Sequence, residues 1–232
     1  MKAQWKWGLF CCLVVSITLF ATKLGCEVVS VMAEHRSITN QYCIVIDPGH
    51  GGEDGGAVSV SNLPESEYNL SIALRLKDLI HLLGYQTKMI RTEDISVYTS
   101  GETIAAKKIS DLRQRVKLVE DTDDPILISI HQNTFPDSRY FGPQVFYPPR
   151  GQGAQLAERL QQALSKDLNP GSNRMPKRAD GVYLMQHIQC PGVLIECGFI
   201  SNPEEEAKLR NAQYQRKLCS VISSTVAKFL DG

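Results

Sequence analysis

Short apolar runs rich in β-branched residues alternate along this chain with stretches whose apolar residues recur at helical spacing. That alternation restricts the fold more than any other feature, because it demands strands joined by crossover helices. Tyr42 to Asp47 reads as a buried strand, and the glycine-rich stretch Gly49 to Gly56 as a loop after it. Ile72, Leu76, Leu79, Ile80 and Leu83 then predict a helix over 69–83, stopped by Gly84. A second strand is expected over Gln86 to Arg91, and the polar Thr92 to Ser110 as an irregular surface insertion. Asp111 to Glu120 has Leu112, Val116 and Val119 on one helical face, and Pro125 opens an apolar strand, Ile126 to His131. Further strands are expected at Gln144 to Tyr147, Val182 to Met185 and Val193 to Glu196. Helices are expected at Gln152 to Leu168, Pro203 to Leu209 and Tyr214 to Leu230, with a basic loop from Asn169 to Gly181. The implied class is α/β: a mostly parallel twisted sheet flanked by helices on both faces, in a single domain.

The first 33 residues stand apart from this pattern. Lys2 and Lys6 precede an uncharged run from Trp7 to Thr22, and no acidic residue occurs before Glu27. That run is shorter than the roughly 20 apolar residues of a full membrane span, so residues 1–33 read as an export signal. Val31-Met32-Ala33 offers a cleavage site, with an uncleaved membrane anchor as the alternative; Lys23-Leu24-Gly25-Cys26 only faintly matches a lipoprotein site. Residues 34–41 form a polar linker, and residues 42–230 carry the domain. The expected location is therefore outside the cytoplasm, with membrane contact only through the leader. Basic and acidic residues balance at 25 each, which argues against an extended nucleic-acid surface while leaving room for local basic patches. Beyond the leader, Cys43, Cys190, Cys197 and Cys219 show no paired spacing and read as small buried residues, with nothing demanding a Cys190–Cys197 disulfide.

Three of the expected strands end in chemistry. His50 follows the first in Asp47-Pro48-Gly49-His50-Gly51-Gly52, His131 ends Ser129-Ile130-His131, and Glu196 follows Val193-Leu194-Ile195. A single histidine at a strand end is usually a hydrogen-bonded turn residue. In parallel sheets, however, ligands gather outside the carboxyl ends of the strands, so the fold would bring all three together. Two imidazoles and a carboxylate meet the donor requirement of a catalytic zinc, which keeps a further position for water. If Glu196 is instead the base, another segment must supply the third ligand, and Glu65 or Glu67 ahead of the first helix are the candidates. Asp47 would either fix an imidazole tautomer or cap its turn. His35, His81 and His187 have no such partners in the sequence and read as surface or packing residues.

Asp-Pro-Gly-His-Gly-Gly, a glutamate ahead of Asn69-Leu70, Ser-Ile-His-Gln-Asn and the late Glu196-Cys197-Gly198-Phe199-Ile200-Ser201-Asn202 occur in this order. Together they resemble the zinc-dependent N-acetylmuramoyl-L-alanine amidases of the Amidase_3 type, over about Tyr42 to Leu230. The resemblance implies a cell-wall hydrolase of peptidoglycan, with His50, Glu65 and His131 holding Zn2+ and Glu196 as the catalytic carboxylate. Setting Asn69-Leu70 on the family's Glu-x-x-x-Asn-Leu makes Glu65 the ligand and Glu67 the second choice, although Ser66 stands where the family has lysine after that glutamate. Asn133 would either hydrogen-bond substrate or serve as an ordinary turn amide, and Arg174, Lys177 and Arg178 would either contact substrate carboxylates or form a solvated loop. The leader, the absence of a separate wall-binding module within the sequence, and the segments from Asp111 to Leu118 and Gly181 to Gln186 look like the germination-specific amidases of spore cortex. That likeness implies removal of the stem peptide from muramic acid ahead of a partner deacetylase that forms muramic-δ-lactam, and leaves room for a targeting protein. A zinc carboxypeptidase or other amidohydrolase, and a catalytically inactive wall-binding protein, are the competing readings.

Overall fold

The computed structural model describes residues 19–29, 41–150 and 152–232. The chain divides into two units, residues 1–39 and 40–232. In the first, residues 19–29 are helical; the cleavage site expected at Val31-Met32-Ala33 and most of the apolar run lie outside the described residues. Among the described residues, no helix is long and apolar enough to cross a membrane.

The second unit is built on one six-stranded sheet. Its strands are β1 (Cys43–Pro48), β2 (Gln86–Met89), β3 (Pro125–Asn133), β4 (Gln144–Tyr147), β5 (Lys177–Arg178) and β6 (Gly192–Phe199), in the order β2-β1-β3-β6-β4-β5. Every neighbouring pair is parallel except β4 and β6, which run antiparallel. The helices are α1 (Glu65–Leu82), α2 (Ile104–Glu120), α3 (Ala154–Leu168), α4 (Tyr183–His187), α5 (Pro203–Arg210) and α6 (Ala212–Leu230). The central strands are buried on both faces, which explains their unbroken apolar runs. Val45, Leu127 and Leu194 pack with Val119 of α2 and with Leu184 and Met185 of α4. The alternating residues Ile44, Ile46, Ile126 and Ile128 are equally buried and, by the two-residue period of a strand, face the other layer. There α1 packs on β1, β2 and β3, α3 packs on β4, and α6 packs on α1 and α3.

Four expectations need correction. Val182 to Met185 is not a strand: Tyr183–His187 is a short helix, with Leu184 and Met185 buried against the sheet. Four apolar residues in a row fit either period, and packing decided between them. The insertion over 92–110 is irregular only to Thr103, whose hydroxyl accepts the Ala106 N–H at 3.2 Å and starts α2 at Ile104. On that helix Val116 and Val119 pack on the core, as the apolar spacing expects, and Arg115 is buried beside them on the same face. Helix α1 begins at Glu65, four residues before the expected start, because the carbonyls of Ala57 and Gly55 accept the N–H groups of Glu65 and Ser66 at 2.8 and 3.0 Å. Finally, the basic loop contains β5, two residues paired with the end of β4.

Candidate active site

Because β1, β3 and β6 run parallel, their carboxyl ends share one edge, and the register sets His131 directly opposite Glu196. His50 leaves β1 through a turn in which its own φ is 60°, a left-handed conformation uncommon for a residue with a side chain. Glu65 opens α1 from below this turn. The histidine nitrogens and the Glu65 carboxylate lie within 4.8 Å of one another, a spacing at which one ion can touch all three.

Glu65 is the hub of this group. One oxygen meets His131 Nδ1 at 3.0 Å and accepts the Gln132 N–H at 3.1 Å; the other meets His50 Nε2 at 3.3 Å and accepts the Ala57 N–H at 3.1 Å. Asn69, one turn along α1, donates to Glu65 at 3.2 Å and to the Gly49 carbonyl at 3.1 Å, and its own oxygen accepts from Gln132 at 3.1 Å. Burial would raise the Glu65 pKa, but the two imidazoles outweigh it and hold the carboxyl far below the ordinary carboxylate range. Glu67, the alternative ligand, is exposed on the other side of the helix start.

His50 has a second carboxylate. Its Nδ1 lies 3.1 Å from Asp54, which also pairs with Lys108 at 3.3 Å. Burial works against protonation of His50, while Glu65 and Asp54 together raise its pKa. Asp54 therefore does what the sequence reading offered to Asp47, fixing an imidazole so that Nε2 faces inward. Asp47 is elsewhere engaged, buried against Arg115 and hydrogen-bonded to Ser129 at 2.7 Å.

Two buried guanidiniums hold the turn that carries His50. Arg115 bonds the Pro48 carbonyl at 3.0 Å and the His50 carbonyl at 2.8 Å, besides Asp111 at 2.6 Å. Arg91 bonds the carbonyls of Pro48, Gly49 and Ser66, each at 3.0 Å. Glycine is required where this turn meets the group: a Cβ on Gly49 would overlap the His131 ring. At Gly56, with φ +72°, a Cβ would press on Glu65 Oε2 and the His50 ring at 2.7 and 2.8 Å. Asp54 and Arg91 carry no signal in the sequence, whereas Asn69 and Gln132 stand there only as motif positions without a role, Asn69 one turn after Glu65 in the Glu-x-x-x-Asn spacing and Gln132 next to His131.

Glu196 differs from Glu65 in having no anchor. Its Oε2 is buried and finds no hydrogen-bond partner among the described residues. Burial pushes the carboxyl up to about 7, with His131 and His50 opposing the shift and Glu65 reinforcing it. A carboxyl so poised exchanges protons readily near neutral pH. Asn133 ends β3 half-buried, its backbone carbonyl held by the Ile200 N–H at 2.9 Å. In the basic loop, Arg174 donates to the Phe141 carbonyl at 2.9 Å and Arg178 pairs with Asp180 at 2.8 Å. The cysteines at 43, 190, 197 and 219 are free.

An α/β sheet that gathers two imidazoles and a buried carboxylate at its carboxyl edge, beside a second, unanchored carboxylate, offers the donor set that a metal-dependent hydrolase requires. Residues 44–228 match the Amidase_3 family, N-acetylmuramoyl-L-alanine amidases, and the chain belongs to it. It is 38% identical over 188 residues to the germination-specific N-acetylmuramoyl-L-alanine amidase of Bacillus subtilis, covering 80% of this chain and 78% of that protein. The CwlD amidase of Clostridioides difficile, solved in complex with the GerS lipoprotein, superimposes with a TM-score of 0.78 at 34% identity, over 82% of this chain and 98% of that one. An N-acetylmuramoyl-L-alanine amidase from Clostridium difficile 630 superimposes with a TM-score of 0.72 at 29% identity, over 83% and 98% of the two chains. Cell-wall amidases act outside the cytoplasm, in keeping with the location expected from the leader.

Proposed function

We propose that this amidase cleaves the bond between the lactyl group of N-acetylmuramic acid and L-alanine in the peptidoglycan of spore cortex, with zinc held by His50, Glu65 and His131 and Glu196 as the proton carrier. The observation that carries this reading is the gathering of three donors at one sheet edge, where His131 stands directly across β3 and β6 from Glu196 and its orphaned oxygen. The donor set suits zinc: two neutral-nitrogen ligands, one ionised oxygen, and a second carboxylate that remains outside the group. Zinc held there supplies Lewis acidity, polarising a carbonyl and acidifying a water. Asp54 keeps the His50 proton on Nδ1, so Nε2 is free to donate its lone pair, and Asn69 with two backbone amides keeps both Glu65 oxygens turned inward. Glu196 takes the water proton as the amide carbon is attacked and returns it to the departing L-alanine nitrogen. Asn133 would hydrogen-bond the substrate at the mouth of the site.

The domain division follows the same reading: a leader over 1–33 that exports or anchors the chain, a linker over 34–41, and the catalytic domain over 42–230. The similarity to the germination-specific relative supports a cortex substrate, and the complex of the C. difficile enzyme supports an accessory lipoprotein partner.

Digestion of cortex fragments followed by muropeptide analysis tests the bond. Free stem peptides beginning at L-alanine, with intact lactyl groups on the glycan, are the expected products; shortened stems still joined to sugar would assign the enzyme to a carboxypeptidase reaction instead. His50→Ala is expected to lose bound zinc in elemental analysis, and a full zinc complement would remove His50 from the ligand set. Gly49→Ala should likewise bind zinc more weakly although it replaces no donor, since its methyl group displaces the His131 ring. A zinc titration of that variant that matches the parent would overturn this account of the turn.

A further inference from the structure

Beyond the catalytic group, the same rim of the sheet carries a second built feature. Antiparallel β4 enters the sheet at Gln144, in register with Glu196, so the residues just before it lie at the catalytic edge. Those residues, with the loop that follows α3, form a cleft of about 250 Å³ whose walls include Arg139, Tyr140, Phe141 and Arg174. Tyr140 and Phe141 are 47% and 52% exposed, and Phe135, 45% exposed, meets the Tyr140 ring at 4.5 Å between centroids. Phe135 and Tyr140 thus pack as a tilted pair, 59° between ring planes, with Phe141 beside Tyr140 on the cleft wall.

The cleft is held open by fixed points. The Gly142 N–H donates to Glu205 at 2.7 Å, Asn202 donates to the Tyr140 carbonyl at 3.2 Å, and Gln144 donates to the Met175 carbonyl at 2.8 Å. Gly142 has φ +83°, and a side chain there would strike Asn169 on the opposite wall. Both guanidiniums are already engaged. Arg139 forks onto Asp137, while Arg174 lies 5.3 Å from the Phe199 ring and donates to the Phe141 carbonyl. What the cleft offers a ligand is therefore aromatic face with a polar rim, beside an Arg174 charge whose donors are turned to the Phe141 carbonyl and the Phe199 ring and an Arg139 charge paired with Asp137.

We infer that this cleft is a glycan subsite, in which a hexopyranose ring of the strand flanking the cleaved residue stacks on Tyr140 and Phe141. The axial C–H groups of such a ring form an apolar face that an aromatic ring covers, while its hydroxyl and acetamido groups remain at the wet rim. Continuity with the catalytic edge supports this occupant: Phe135 is four residues past His131, and Gln144 sits beside Glu196. The choice of a saccharide rests on the amidase reading; the cleft itself does not. A strand gripped here is held on the sugar side of the scissile amide, so the enzyme selects polymeric glycan over free muramyl peptide.

The full chain is titrated with a chitin oligosaccharide, which has no lactyl amide and so reports binding without turnover. Binding is expected for the parent chain, weakened about five- to tenfold in Tyr140→Ala and in Phe141→Ala and retained in Tyr140→Trp. Both positions are half-exposed, and the tryptophan variant separates loss of stacking from loss of fold. A free stem tetrapeptide should not displace the sugar. No oligosaccharide binding, equal binding by both alanine variants, or displacement by the tetrapeptide would each overturn the inference, the last by assigning the cleft to peptide carboxylates. Sugar binding by a chain that cleaves no muramyl substrate would support the cleft while overturning the proposed reaction.

Discussion

Glu196→Gln is expected to retain its metal and lose about 10²–10⁴-fold in turnover, the range that a positioned acid or base contributes. Glutamine keeps the shape of the side chain and adds no buried charge, so the sheet edge should survive unchanged. What it removes is the proton acceptor. Of the two buried carboxylates at this edge, Glu65 is tied by four hydrogen-bond contacts and held ionised by both histidines, which suits a ligand and disqualifies it as a proton carrier. Glu196 has an unpartnered oxygen and a pKa raised to about 7 by burial, which suits a group that must accept and release a proton in one cycle. Steady-state rates on cortex fragments, with zinc content measured on the same samples, decide the matter. Activity within a few-fold of the parent would remove Glu196 from the reaction; lost zinc would make it a ligand.

Arg115→Met is expected to destabilise the domain by about 3–5 kcal/mol, because it leaves Asp47 buried without its cation. For a domain of this size that corresponds to a fall in Tm of roughly 10 °C. The same change frees the Pro48 and His50 carbonyls, so zinc affinity should fall together with stability. A double variant with Asp47→Asn should recover part of the loss, since the uncompensated charge is gone. The pH dependence has a definite sign. Burial would raise the Asp47 pKa, but Arg115, His131 and Ser129 outweigh it and hold it below its ordinary 3.8. Its contribution is therefore complete above that value and lost as pH falls through the depressed one. The gap between parent and variant should be widest near neutrality and shrink in acid. Denaturant melts at several pH values measure this directly; a gap independent of pH would mean that the pair contributes through packing alone.

The residues legible in the sequence were those whose signal is local. His50, His131 and Glu196 each follow an apolar run, and the rule that parallel strands present their carboxyl ends on one edge was enough to bring them together. Asp54 and Arg115 were illegible as partners of that turn for the opposite reason. Asp54 lies in a glycine-rich loop with no period to read, and Arg115, although on the apolar face beside Leu112 and Val119, carries a charge that periodicity alone gives no reason to bury. Its burial makes sense only once the Pro48 and His50 carbonyls and Asp47 are seen beneath it.

The fold divides in the same way. The sequence by itself determined the alternation of strands and helices, the burial of the central strands and the three chemical strand ends, because each follows from periodicity within a dozen residues. Only the tertiary structure decided that β4 runs against its neighbour, that Tyr183–His187 is helical, and that Glu65 rather than Glu67 turns toward the histidines. Each of these depends on a partner far away in sequence. Strand direction is set by which edge remains to be covered, a four-residue apolar run by the surface it meets, and the rotation of a helix start by the carbonyls of Gly55 and Ala57 that seize its first N–H groups.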